Sequence, residues 1–104
     1  MSTNDPTLLA AAARSPTTLR VRVVYLARLR EALGRGDETL ALPGAGETTV
    51  ATLLEHLRAR GGAFAHELAA GRAFRVAVNH AMAAPDATVR SGDEIAILPP
   101  VTGG

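Results

Sequence analysis

The sequence contains no cysteine, and this absence excludes several kinds of chemistry. Disulfide bonds, thiolate metal sites and a cysteine nucleophile all need a thiol that the chain does not have. If the protein takes part in sulfur chemistry, another molecule must supply the sulfur. Lysine is also missing, and all 11 basic residues are arginine, for which a GC-rich genome is the simplest explanation.

Aromatic residues, excess charge and long apolar runs are scarce as well. The aromatic residues are Tyr25, Phe64 and Phe74, and the formal net charge is +1, so neither a stacking surface nor a strong field for nucleic acid is present. No apolar run approaches the roughly 20 residues of a membrane span. The segment "MSTNDP" lacks the basic residues of an export signal. We therefore expect a cytoplasmic protein without nucleic-acid or membrane partners.

The 104 residues fit one small domain with two extensions. Residues 1–18 are rich in Ser, Thr, Pro and Ala without a sustained periodic pattern, which predicts a disordered N-terminal extension. Residues 19–98 alternate periodic segments with turns and form the predicted domain. Residues 99–104, "PPVTGG", form a flexible C-terminal tail.

The first half of the domain predicts a β-hairpin and a helix. Alternation in "LRVRVVYLARL" predicts a strand from Leu19 that continues through Ala27 and becomes buried on both faces. "REALGRGDE" predicts a turn, and "ETLALP" the returning strand. "TTVATLLEHLRARGG" predicts the main helix, begun by Thr48 or Thr49 and ended at Gly61. Its apolar face consists of Val50, Leu53, Leu54 and Leu57.

The second half predicts a short helical turn and three further strands. Phe64 pairs with Leu68 in the helical turn, and residues 74–78 alternate as a strand. Asn79 and His80 form a hairpin turn before a short strand at Met82, and a final strand runs from Glu94 to Leu98. The order predicts an α+β fold of the β-grasp type, a mixed sheet of about five strands packed on one main helix.

The sequence evidence for catalytic or metal-binding groups in the domain is weak. The three histidines, His56, His66 and His80, lack ligand spacing, so we predict no metal site. The adjacent Asp93 and Glu94 point to opposite faces, which disfavours acid–base catalysis in one cleft. The glycine loops at 34–36 and 43–49 lack the lysine of a phosphate-binding loop, so we expect no bound ATP or other cofactor.

The most informative segment is the tail. Pro99 and Pro100 cannot donate ladder hydrogen bonds and stiffen the exit from the last strand. The four residues after them extend about 13 Å, and Gly103 and Gly104 would pass through a channel that admits only backbone. A terminal carboxylate has an ordinary pKa of about 3.5 and reacts with a nucleophile only after activation, which a partner must perform. From these residues alone, a loose tail without function remains an equal alternative.

Three segments resemble a known family. "VRVVYLARLREALG", "VAVNHAMA" and "SGDEIAILPPVTGG" are similar to the small subunits of molybdopterin synthase, the MoaD-type sulfur carriers of the ubiquitin-like β-grasp superfamily. The likeness covers residues 19–104, and "LARLRE" and "PPVTGG" are its most specific parts. The extension before Leu19 is a departure from the family pattern.

The resemblance implies a cycle centred on Gly104. An E1-like adenylyltransferase, using ATP in trans, would convert its carboxylate to an acyl-adenylate, and a sulfurtransferase relay would replace AMP with sulfur to leave a thiocarboxylate. The tail would then enter the large, catalytic subunit, where a cyclic pyranopterin precursor receives the sulfur during molybdenum cofactor biosynthesis. The family also implies a heterotetramer of two small and two large subunits. For the isolated chain we expect a monomer.

The resemblance also assigns roles to other residues. Gly103 precedes Gly104 and also has no side chain. The inserting arm consists of Pro99, Pro100, Val101 and Thr102. Arg30 matches a characteristic family arginine, with partner contact and local structure as equal alternatives. Phe74 and Leu98 are candidates for the docking surface, although both suit the core.

Other functions remain open. A sulfur carrier for thiazole biosynthesis, in the thiamine pathway, also ends in Gly-Gly. A ubiquitin-like modifier would transfer the same activated carboxylate to lysines of other proteins. A β-grasp interaction domain with an idle tail is the remaining alternative.

Overall fold

The computed structural model describes residues 18–43 and 46–100. The elements in this part of the chain are β1 (Thr18–Tyr25), α1 (Arg28–Leu33), β2 (Asp37–Pro43), β3 (Glu47–Thr49), α2 (Val50–Arg58), α3 (Gly62–Glu67), β4 (Arg75–Val78), β5 (Ala81–Met82), β6 (Thr88–Arg90) and β7 (Glu94–Leu98). Strands β2, β1, β7, β4 and β5 lie side by side, in that order, in one mixed sheet. The predicted α+β sheet is confirmed.

The two central strands of the sheet, β1 and β7, are parallel. Tyr25 lies opposite Ile97 in their register, and β2 and β4 pair antiparallel on either side. Because parallel strands end at the same edge of a sheet, β7 delivers the chain to the place where β1 ends and α1 begins. The C-terminal tail therefore leaves the domain beside residues 26–28.

The main helix is confirmed with the predicted buried face, but its predicted end at Gly61 is wrong: it ends at Arg58 with Ala59 as the C-cap, and Gly61 is the N-cap of α3. The side chains of Val50, Leu53, Leu54 and Leu57 are all buried. The N-cap is Thr49, whose hydroxyl oxygen accepts a hydrogen bond from the Thr52 backbone N–H at 3.2 Å. The opposite wall of the core comes from the inner face of the sheet, including Val23, Tyr25, Ile95 and Ile97.

The structure corrects the prediction for the end of β1. The strand ends at Tyr25, and the segment predicted as a turn contains helix α1. Leu29 and Leu33, four residues apart, are both buried, and the helix ends at Gly34 in the left-handed conformation, φ 76°. The predicted burial on both faces is also wrong, because Leu26 lies beyond the strand with 38% of its surface exposed.

The second half of the chain follows the prediction with one addition. Phe64 in α3 and Leu68 after it are buried as expected, and Asn79 and His80, at φ 50° and 74°, form the hairpin turn between β4 and β5. Both positive φ angles are typical of a two-residue hairpin. The addition is the small antiparallel pair of β3 and β6, which the sequence pattern did not predict.

Candidate functional site

The tail leaves the domain between two surface grooves that meet at Pro100. One groove is lined by residues from α2, β4 and the loop after β5, among them Leu54, Phe74, Met82, Pro85 and Pro100. The other lies toward α1 and is lined by Ala27, Arg28, Gly71, Arg72, Ala73, Pro99 and Pro100. Pro99 and Pro100 are themselves half-buried. The other predicted tail residues, Val101, Thr102, Gly103 and Gly104, lie outside the described residues.

A strained turn forms one wall of the tail exit. Ala27 has φ 52° and ψ −132°, a conformation that side-chain-bearing residues rarely adopt. The turn is closed by a 3.1 Å hydrogen bond from the Leu29 N–H to the Leu26 carbonyl oxygen. The Leu26 N–H in turn donates to the carbonyl oxygen of Ile97 at 3.0 Å, so the turn is attached directly to the strand that carries the tail.

Two arginines beside the exit share one carboxylate. Arg28 Nη1 lies 2.7 Å and Arg72 Nη2 lies 3.2 Å from Oε1 of Glu67, whose side chain is only 12% exposed. The hydrogen bond from Arg28, with a further one from Arg72, holds the pKa of Glu67 below its usual value despite desolvation. The carboxylate therefore stays ionised and holds both guanidinium groups at the groove.

The predicted partner-contact residues have different surroundings. Phe74 is half-buried and lines the groove beside α2, while Leu98 is half-buried opposite Arg75 in the sheet. Arg30 is exposed, and its guanidinium group lies against Gly36, where an added Cβ would be 3.1 Å from Cζ of Arg30. Arg30 therefore has a local structural contact in the folded chain.

The outer face of the sheet is apolar near the tail exit. Val24, Ala96, Ala77 and Met82 follow one another across four neighbouring strands, and Met82 is 60% exposed. Residues paired in this way share one face of a sheet. These apolar side chains thus share one face of the sheet next to the exit, where Met82 is exposed, Val24 and Ala96 are half-buried and Ala77 is buried.

The polar groups away from the exit have structural roles. The Asp93 carboxylate accepts hydrogen bonds from the Arg90 backbone N–H at 2.8 Å and from Asn79 Nδ2 at 3.0 Å, while the Glu94 backbone N–H donates to Asn79 Oδ1. These contacts join the hairpin turn at Asn79 and His80 to the turn between β6 and β7 at one end of the sheet. In residues 18–43 and 46–100, no group of three His, Asp or Glu side chains is arranged to hold a metal ion.

The His66 and His80 side chains contact carboxylates at the surface. His66 Nε2 is 4.0 Å from Glu67 and His80 Nε2 is 3.4 Å from Glu94, with both imidazoles largely exposed. Such contacts are typical of solvated surface histidines.

The helices within the described ranges are all too short or too polar to cross a membrane.

Comparison with known proteins gives a consistent family. The ThiS family model matches residues 23–104. The molybdopterin synthase sulfur carrier subunit of Escherichia coli is 34% identical over 84 residues, which are 81% of this chain and 99% of that protein. The protein of the same name from Haemophilus influenzae is 36% identical over the same shares. The crystal structure of SAMP1 from Haloferax volcanii is 27% identical, with a TM-score of 0.65 over 82% of this chain and 99% of that one.

Proposed function

The chain belongs to the ThiS family, and from this premise we propose that it is the sulfur-carrier subunit of molybdopterin synthase. The observation that carries the proposal is its similarity to two molybdopterin synthase sulfur carrier subunits along 99% of their length. The partner that follows from this function is the catalytic large subunit of the synthase. The structural likeness to SAMP1 agrees with the β-grasp fold.

The proposed reactive group is the carboxylate of Gly104. An E1-like adenylyltransferase joins it to AMP from ATP and releases pyrophosphate, which converts a poor electrophile into an acyl-adenylate. Sulfide supplied through a sulfurtransferase relay then attacks the carbonyl carbon, AMP leaves with the electron pair of its bond, and a thiocarboxylate remains. The carrier supplies the acyl group, and its partners supply ATP binding and catalysis.

The described residues agree with a carrier that presents an acyl group to its partners. Strand β7 is hydrogen-bonded on both sides, to β1 and β4, so the tail starts from the centre of the sheet. Pro99 cannot continue the ladder, and the chain departs between the two grooves. We propose that Val101 to Gly104 enter the active sites of the partners while the apolar sheet face and Phe74 contact their surfaces. In the synthase, which we place in the cytoplasm, two carriers and two large subunits form a heterotetramer.

The direct test is the intact mass of the carrier after incubation with ATP, the cognate adenylyltransferase and a sulfur donor. Exchange of one oxygen for sulfur adds about 16 Da, and deletion of Gly104 abolishes the gain. The control variant Arg20→Gln, at the other end of β1, acquires the sulfur normally. A wild-type chain that gains no mass with an active enzyme set would refute the proposal.

The alternatives give different products. A thiazole-pathway carrier forms the same thiocarboxylate but transfers its sulfur only when thiazole synthase replaces the molybdopterin synthase large subunit. A ubiquitin-like modifier forms isopeptide-linked adducts with lysines of other proteins. Mass spectrometry of the chain recovered from its native cells distinguishes the thiocarboxylate from isopeptide-linked adducts, and sulfur transfer assayed with each synthase in turn distinguishes the two carriers.

A further inference from the structure

We propose that Arg28, Arg72 and Arg75, which we name the basic rim, bind carboxylates that surround the mouth of the tail channel on the large catalytic subunit. The inference rests on the proposed carrier function and adds the chemistry of the surface that the carrier recognises. It assigns the attraction between the subunits to charge as well as to the apolar sheet face.

The position of the rim follows from the reach of the tail. Residues 101–104 extend about 13 Å beyond Pro100, so an enzyme that reacts with Gly104 has its active centre within about that distance of Pro100. Arg72 lines both grooves that meet at Pro100, Arg28 lines one and Arg75 the other. Any partner close enough to receive the tail therefore covers or approaches these side chains.

The charge of the rim is unbalanced within the described part of the chain. Arg28 and Arg72 share the single carboxylate of Glu67, and Arg75 makes no ion pair with a described residue. The side chains of Arg28 and Arg72 remain 51% and 39% exposed. Two positive charges are thus in excess at the exit, and covering them with an uncharged surface would remove their hydration without replacement.

Two of the three side chains of the rim, Arg28 and Arg72, are also held in place before a partner arrives. Arg58 Nη1 donates a 2.9 Å hydrogen bond to the carbonyl oxygen of Leu68, and the Arg72 N–H donates at 3.0 Å to that of Ala69. With Glu67 fixing the guanidinium groups of Arg28 and Arg72, little side-chain freedom is left to lose on binding. Planar guanidinium groups in fixed positions are suited to carboxylates, which accept two parallel hydrogen bonds.

The test measures association of the full-length carrier with the large subunit from the same genome by stopped flow. The rim variant Arg72→Gln/Arg75→Gln is compared with Arg20→Gln/Arg90→Gln, which removes equal charge about 20 Å away at the other end of the sheet. At 50 mM NaCl we expect the rim variant to associate about 5-fold more slowly and the control variant less than 2-fold more slowly. At 500 mM NaCl the difference between them should nearly disappear, because salt screens exposed charges.

A third variant separates charge from shape. Arg72→Lys/Arg75→Lys keeps both charges and should restore at least half of the wild-type association rate at 50 mM NaCl, whereas a role in packing alone would leave it as slow as the glutamine variant. If the wild-type chain binds the large subunit and the rim and control variants associate with it at equal rates, the proposed role of the basic rim is refuted. The proposed carrier function is not affected by that result. If the wild-type chain fails to bind the large subunit, the proposed role as the carrier subunit of molybdopterin synthase is itself refuted. Slowed association with the adenylyltransferase only would assign the rim to that enzyme and overturn the proposal as stated.

Discussion

Replacement of Glu38 by glutamine tests how the fold is held together near the start of β2. The Glu38 carboxylate accepts hydrogen bonds from the Tyr25 hydroxyl at 2.6 Å, from Arg60 at 2.7 and 2.8 Å, and from Arg35 at 3.0 Å. Arg60 also lies over the ring of Phe64, with Cζ 4.8 Å from the centroid. One carboxylate thus connects β1, β2 and the segment between α2 and α3.

The size of the effect follows from burial and charge. The Glu38 side chain is 12% exposed, and hydrogen bonds to a charged group contribute about 1.5–3 kcal/mol each when buried. The arginines are partly solvated, at 32% and 47% exposure, which reduces their share. Glutamine in the same position would also place an amide N–H₂ against other donors. We expect Glu38→Gln to lower the free energy of unfolding by about 2 kcal/mol at pH 7.

The loss depends on pH in a defined direction. Burial alone would raise the pKa of Glu38, but the hydrogen bonds from Arg60 and Tyr25 outweigh it and hold that pKa below its usual value. Stability from such a group is present above the unfolded-state pKa, about 4.3, and is lost as the pH falls through the folded-state pKa. The difference between wild type and Glu38→Gln should therefore shrink below about pH 4.

Urea unfolding at pH 7 and at several values down to pH 3 measures this difference. Glu47→Gln is the matched control, because Glu47 and Arg90 are 60% and 69% exposed and 3.5 Å apart, and should change stability by less than about 0.5 kcal/mol. A Glu38→Gln loss no larger than that of the control at pH 7, or one that persists unchanged at pH 3, would show that the ionised Glu38 carboxylate does not stabilise the fold.

Three further substitutions test the strained turn, the hairpin turn and the core by urea unfolding. Ala27→Gly should raise the free energy of unfolding by about 1 kcal/mol, since glycine adopts φ 52° without strain, and a loss of stability would contradict that strain. Asn79→Ala should lower it by about 2 kcal/mol, because it removes the side chain that bonds Asp93 and Glu94 from a residue at positive φ; an effect below about 0.5 kcal/mol would contradict this. Leu57→Ala, at a fully buried position, should lower it by about 3 kcal/mol, and a smaller loss than at the half-exposed Met82→Ala would be inconsistent with the observed packing.

Local periodicity in the sequence was enough to predict the long helix and the long strand, but it did not predict the short elements. Helix α2 shows its buried face through spacing alone, and β1 through alternation. Helix α1 has only six residues and begins at a strained alanine, so the glycines after it favoured a turn. Its signal was the pair Leu29 and Leu33 followed by Gly34, a combination typical of a short helix with a left-handed C-cap. Strands β3 and β6 have three residues each, too few to show a period.

The basic rim could not be found from sequence spacing. Arg28 and Glu67 are 39 residues apart, and only the packing of α1 near α3 brings their side chains within 2.7 Å. The predicted alternation in residues 74–78 puts Arg75 on the face opposite Phe74 and Val76, but nothing in the sequence indicates that Arg72 and Arg75 lie beside the tail exit. The sequence identified the tail as the informative segment, whereas the charges around its exit depend on tertiary structure.

The parallel pairing of β1 and β7 connects these features. A tail attached to an edge strand could change direction relative to the domain, because one side of such a strand lacks hydrogen-bonding neighbours. Strand β7 has a neighbour on each side, and the Leu26 N–H bond to Ile97 extends that pairing to the last turn before α1. The start of the tail and the side chains of Arg28 and Arg72 are therefore fixed in one frame. In the proposed complex, a partner that binds the rim would position the entrance of its channel over Pro100 in the same step, so that recognition of the surface would also align the proposed reacting carboxylate.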